Sequence, residues 1–104
     1  MRFAILAAFI TLTFAPAARA DVAEIWKSKC AMCHGEDGKA ETKQGKKLKI
    51  HDMSAAEFQT KHTDDQLKKA ITEGVPKTKM KAFKDKYSAE EIDGLVKQVR
   101  SLAK

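Results

Sequence analysis

Once an N-terminal export segment is set aside, this chain has too few apolar side chains to fold around them alone. Arg2 supplies a positive start, the run from Phe3 to Phe14 is apolar apart from two threonines, and Ala18-Arg19-Ala20 has the small-x-small pattern of a cleavage site. Residues 1–20 are therefore predicted to be a signal peptide cleaved after Ala20, leaving one domain over 21–104 in the periplasm. An uncleaved anchor is the competing reading; the segment is short for a membrane span, which needs about 20 mostly apolar residues. Of the 84 residues that remain, 30 are apolar. A domain below about 70–80 residues rarely stabilises itself by burial alone, and one only slightly longer is expected to carry a disulfide, a metal or another staple.

Charge narrows the partners. Arg2 and Arg19 leave with the signal, so 18 basic residues face 14 acidic ones, a balance of +4. Such a surplus suits docking against an acidic protein surface rather than wrapping a nucleic acid.

Apolar periodicity predicts four short helices. Asp21 is a possible cap, with Glu24 three residues after it, for a first helix that runs from Val22 towards Cys30 and carries Ile25 and Trp26. Ser54 and Glu57 form a capping-box pair ahead of Phe58, with Met53 and Phe58 spaced as a hydrophobic staple. Thr63 and Gln66 repeat the box before Leu67, Ala70 and Ile71, and Gly74 and Pro76 end that helix. Ser88 and Glu91 open the last, which aligns Ile92, Leu95, Val96, Val99 and Leu102, places Tyr87 as a staple for Ile92, and sets Lys97, Arg100 and Lys104 near the negative end of its dipole. The stretches 35–51 and 75–86, rich in lysine, read as loops, and no alternating run suggests a strand. Loops this long in a small all-α domain usually wrap something.

The two cysteines stand in Cys30-Ala31-Met32-Cys33-His34, the arrangement of covalent c-type haem attachment. Two thiols must reach two vinyl groups of one porphyrin while the next imidazole reaches its iron. At a helix end, positions i, i+3 and i+4 share a face, which leaves Ala31 and Met32 pointing elsewhere. Three rivals compete. A dithiol oxidoreductase wants a strand leading into the motif, a zinc site would have to recruit His51 and His62 without a second paired motif, and a disulfide closing four residues would constrain little chain.

With that motif the chain resembles the small bacterial class I cytochromes c over nearly all of 21–104. The likeness rests on Trp26 four residues before Cys30, on Cys30-x-x-Cys33-His34-Gly35, on Gly74 closing a helix, on Met80-x-Ala82-Phe83, and on a final helix with Leu95 and Val99-Arg100. It implies three or four short helices and long loops around one covalent haem c, with the first and last helices packed across each other, His34 on one side of the iron and a methionine on the other. Candidates for that second ligand are Met53, Met80, His51 and His62. Met80 is preferred, because it follows Gly74-Val75-Pro76 in a non-helical stretch and matches the family's ligand loop. A haem held by two histidines stays open as an alternative.

Departures from the family are visible. Lys81 stands where proline commonly follows the methionine, no proline occurs between Gly35 and Val75 to place a carbonyl against the His34 Nδ1–H, and Gln98 replaces a frequent aromatic. A partner for that imidazole is expected nonetheless. Gly94 either permits a close helix contact or is a surface glycine that weakens its helix by about 1 kcal/mol.

The resemblance implies a periplasmic one-electron carrier rather than an enzyme, a monomer without lasting membrane insertion, and a comparatively high potential, since a thioether ligand favours the ferrous state. Lys39, Lys43, Lys46, Lys47 and Lys49, with Lys77, Lys79, Lys81, Lys84 and Lys86, are candidates for a rim that steers acidic redox partners. A five-coordinate haem protein that senses gas or handles peroxide, and a haem subunit of a larger dehydrogenase, are the alternatives. Because ordering each residue costs roughly 1–2 kcal/mol of backbone entropy, and isolated helices under about 12–15 residues are marginal, the haem-free chain over 21–104 is expected to be largely unfolded at room temperature. Far-ultraviolet circular dichroism of a haem-free preparation checks this, and native-like helix with cooperative melting would refute it.

Overall fold

The computed structural model describes residues 22–104, with Ala8 alone ahead of them. The predicted cleavage site and the Asp21 cap lie outside the described residues. Those described form five helices and no strand, the all-α class that the periodicity predicts. Helix α1 spans 22–34. Its middle, Trp26–Cys30, is a π-helical stretch in which the Ala31 N–H donates to the Trp26 carbonyl five residues back, before Ala31–His34 resumes the α form. The helix therefore runs past Cys30 and carries the whole cysteine motif on its last turns. Gly35, with φ of 80°, ends it.

Between residues 35 and 51 a loop was expected, and it contains a short helix, α2, at Lys43–Lys47. Its sequence, Lys-Gln-Gly-Lys-Lys, offers no apolar period; its N-terminus is set by Thr42, whose side chain accepts from the Gly45 N–H at 2.8 Å. Helix α3, Ala56–Lys61, lacks the predicted Ser54/Glu57 capping box, and its N-cap, Ala55, makes no side-chain bond. Asp52 is the reason. Its Oδ1 accepts both the Ser54 hydroxyl at 2.5 Å and the Ser54 N–H at 2.9 Å, and a carboxylate is the stronger acceptor.

Helices α4, Asp64–Glu73, and α5, Ala89–Ser101, start as predicted. Both capping boxes form, Thr63 with Gln66 and Ser88 with Glu91. Gly74 closes α4 with φ of 73°, a left-handed conformation suited to glycine. The following stretch to residue 86 contains no helix and folds back on α4, with the Phe83 N–H on the Ile71 carbonyl at 3.0 Å and the Lys84 N–H on that of Thr72 at 3.2 Å.

Helix α5 is the centre of the molecule. Leu95, 2% exposed, packs with Val22 and Ile25 of α1, while Val96 and Val99 join Trp26, Met53 and Leu67 in a second cluster. Phe58, Ile71 and Leu102 pack against that second cluster. Met53 is thus part of the core, although with Ala55 as the N-cap it and Phe58 no longer stand at the staple positions. The first and last helices cross closely, for a β-carbon on Gly94 would stand 2.6 Å from Val22 Cγ2. Of its two readings, Gly94 takes the close contact.

Arg100 does not serve the end of its own helix in the way its position suggests. Its Nη1 donates to the Gln59 carbonyl at 2.7 Å and Nη2 to the His62 carbonyl at 2.6 Å, closing the end of α3, while Nε pairs with Asp64 at 2.7 Å at the start of α4. Gln59 in turn donates to the carbonyls of Met53 at 2.6 Å and Val99 at 3.0 Å.

Two outcomes follow. Gly94→Ala gains at most about 1 kcal/mol of helix propensity but overpacks a stiff β-branched neighbour at a cost of about 1–3 kcal/mol. It should lower the melting temperature, and adding Val22→Ala should recover much of the loss; a rise for the single variant would contradict the close crossing. The Ser54 hydroxyl holds the Asp52 carboxyl below its ordinary pKa, so the stability it contributes is present above the unfolded value and is lost as pH falls through the lowered folded one. Ser54→Ala should be less stable than the parent at neutral pH and converge with it in acid, measured by denaturant midpoints across that range.

Candidate haem site

Cys30, Cys33 and His34 sit together at the C-terminal end of α1, each partly buried, while Met32 between them is 69% exposed. Both cysteines are free thiols, and burial together with the neighbouring Cys33 pushes the Cys30 thiol up to about 11. Burial also lowers the His34 pKa, which keeps the imidazole neutral, the form that offers a lone pair to a metal.

One wall of the site is Trp26, 4% exposed, with its ring centroid 6.1 Å from that of His34 and its Nε1–H donating to the Glu36 carbonyl at 3.3 Å. The expected partner for the imidazole does not appear, since His34 Nδ1 is buried with no hydrogen-bond partner among the described residues. This is the structural counterpart of the missing proline. The carbonyls of the motif are well held instead, with Ala40 N–H on His34 O at 2.8 Å and the Thr42 hydroxyl on Cys33 O at 2.7 Å. Sequence reasoning passed over Thr42 and Gly45, because neither belongs to an apolar period or to the haem motif; the Thr-x-x-Gly spacing of the cap was the only available signal.

Met80 is half-buried in the loop that hangs from the end of α4. Its carbonyl accepts from the Val75 N–H at 3.1 Å, its own N–H reaches the Thr78 hydroxyl at 3.2 Å, and a β-carbon on Gly74 would stand 2.7 Å from its carbonyl oxygen. Ile71, at the root of the loop, packs against both clusters that Cys30 also touches. The other candidates are placed differently. Met53 is 6% exposed within the core, His51 is exposed, and the His62 ring lies 4.5 Å from that of Phe58. No three His, Cys, Asp or Glu side chains among the described residues converge as a metal site, so His51 and His62 do not complete the zinc site considered as a rival.

Two cysteines three residues apart and an imidazole next to the second, gathered on the last turn of one helix against a buried tryptophan, fit a haem. They define a c-type cytochrome. Residues 17–97 match the family described as cytochrome c oxidase, cbb3-type, subunit III, and the chain belongs to that family of cytochrome c domains. Among solved structures it is similar to the KustC0563 c-type cytochrome, at 35% identity and a TM-score of 0.72, over 79% of this chain and 96% of that one. A single-substitution mutant of Kustc0563 is similar at 35% identity and a TM-score of 0.71, over 79% and 98%. The Kuenenia stuttgartiensis reducing HAO-like protein complex Kustc0457/Kustc0458 shares the fold, at 20% identity and a TM-score of 0.64, over 80% of this chain and 41% of that one. The chain matches no curated protein sequence.

Proposed function

We propose that this chain is an exported periplasmic one-electron carrier with a single haem c, joined through Cys30 and Cys33 and ligated by His34 and Met80. The observation that supports it most is the gathering of both thiols and a neutral His34 on the end of one helix, beside a tryptophan wall. When bound, the haem supplies an iron centre that gains and loses one electron. The chain's part is to hold that group still and dry. Cys30 and Cys33 tether it, His34 offers its lone pair, Trp26 excludes water behind the ring, and the Met80 loop, anchored at Gly74 and Val75, presents a thioether.

Were His34 and Met80 both to hold the iron, no place would be left on it for substrate, so the reading is a carrier and not an enzyme. Lys43, Lys46, Lys47 and Lys49 of the first loop region and Lys77, Lys79, Lys81, Lys84 and Lys86 of the second are exposed, with Lys86 Nζ 6.0 Å from the centre of the Phe83 ring. They supply a positive field for acidic redox proteins, whose association should slow as salt rises. A monomer meeting such partners transiently is the proposed state, and a permanent place in a dehydrogenase is the alternative.

Replacing Met80 by Ala tests the ligand set. The ferric parent should show the weak absorption near the red edge of the visible range that marks methionine ligation, and Met80→Ala should lose it, bind carbon monoxide when reduced, and have a lower potential. Spectra unchanged by the substitution would pass the role to Met53 or a histidine, and a parent lacking the band would favour five-coordinate iron.

A further inference from the structure

We propose that Thr42 is a positioning residue for His34, acting through the carbonyl of Cys33. The inference rests on the reading of His34 as an iron ligand. Helix α1 ends at the last residue of the motif, so the carbonyls of its final turn belong to the residues that must be held. Chain 35–45 returns to take them: the Gly35 N–H donates to Ala31 O at 2.8 Å, the Ala40 N–H to His34 O at 2.8 Å, and the Thr42 hydroxyl to Cys33 O at 2.7 Å.

The direction of the Thr42 bond is determined. Its oxygen accepts the Gly45 N–H at 2.8 Å, and its single proton points to Cys33. Gly45 also lies close to this carbonyl, because a β-carbon there would stand 2.7 Å from Cys33 O and collide with Ala40 O as well. Ala40 reaches His34 O with φ of 56°, a left-handed conformation uncommon for alanine.

The ring itself receives no such help. His34 Nδ1 is buried without a partner among the described residues, and the Trp26 ring bounds the imidazole while its own N–H donates to the Glu36 carbonyl. A ligating histidine is ordinarily oriented by an acceptor on its second nitrogen. Here orientation passes through the main chain instead, since a fixed Cys33–His34 peptide fixes the direction of the His34 Cα–Cβ bond.

The test uses the haem-loaded protein and the electron paramagnetic resonance of its ferric state. Thr42→Asp keeps an acceptor for the Gly45 N–H but has no proton for Cys33 O, whereas Thr42→Ser keeps both. The serine variant should reproduce the single low-spin set of the parent, and the aspartate variant should show a second or broadened set as the ring gains a new orientation. Thr42→Val, which also loses the cap, should show at least as large a change, alongside faster amide hydrogen exchange at Ala40 and Gly45. A parent-like single set in Thr42→Asp would overturn the proposal even if its melting temperature fell, because a merely structural role moves stability alone. A parent that attaches no haem would instead defeat the functional reading on which the proposal rests.

Discussion

Val22 lies so close to Gly94 that no β-carbon fits between the first and last helices, and the rest of the structure is arranged around that crossing. It brings Leu95 against Val22 and Ile25, and Val96 and Val99 against Trp26, so α5 serves both apolar clusters. Because the crossing sets where α1 runs, it also sets where the end of α1 emerges, and that end carries Cys30, Cys33 and His34. Helix α4 joins the second cluster through Leu67 and packs on α5, where Lys68 and Asp93 pair at 3.0 Å, and the Met80 loop descends from its last turn.

Around this thin core, polar ties do much of the holding. Arg100 closes the end of α3 and reaches the start of α4, Gln59 bridges Met53 and Val99, the Trp26 indole holds Glu36, and Thr42 holds Cys33. Each such hydrogen bond contributes only about 0.5–1.5 kcal/mol, but each also satisfies a main-chain carbonyl or fixes a loop that has few apolar side chains of its own. The same economy explains why a large apolar group bonded to the chain suits this fold: it extends the core without lengthening the sequence.

Membership of a cytochrome c family accounts for the motif, and the particular chain varies what surrounds it. Where relatives commonly orient the histidine by a proline carbonyl, His34 Nδ1 here is buried with no partner among the described residues, and Ala40 and Thr42 hydrogen-bond to the carbonyls of His34 and Cys33. Where relatives commonly stiffen the methionine loop with proline, Gly74, Val75 and Thr78 brace it through the main chain and a hydroxyl. Both substitutions replace ring rigidity with hydrogen bonds.

The local features were legible in the sequence: the cysteine motif, the Thr63/Gln66 and Ser88/Glu91 boxes, the Gly74 stop and the apolar face of the last helix. All depend on residues within a few positions of one another, where spacing alone determines contact. Ser54 shows the limit of that logic, since Asp52 and Glu57 both lay within its reach and only the folded loop favoured Asp52. Tertiary structure alone decided the tie from Arg100 to Gln59 and His62, the grip of Thr42 on Cys33, and the burial of His34 Nδ1 without a partner among the described residues. Those partners are separated in sequence by many residues or joined across a turn with no periodic signature, and their meeting depends on how the α1–α5 crossing directs the chain, a geometry that no local spacing encodes.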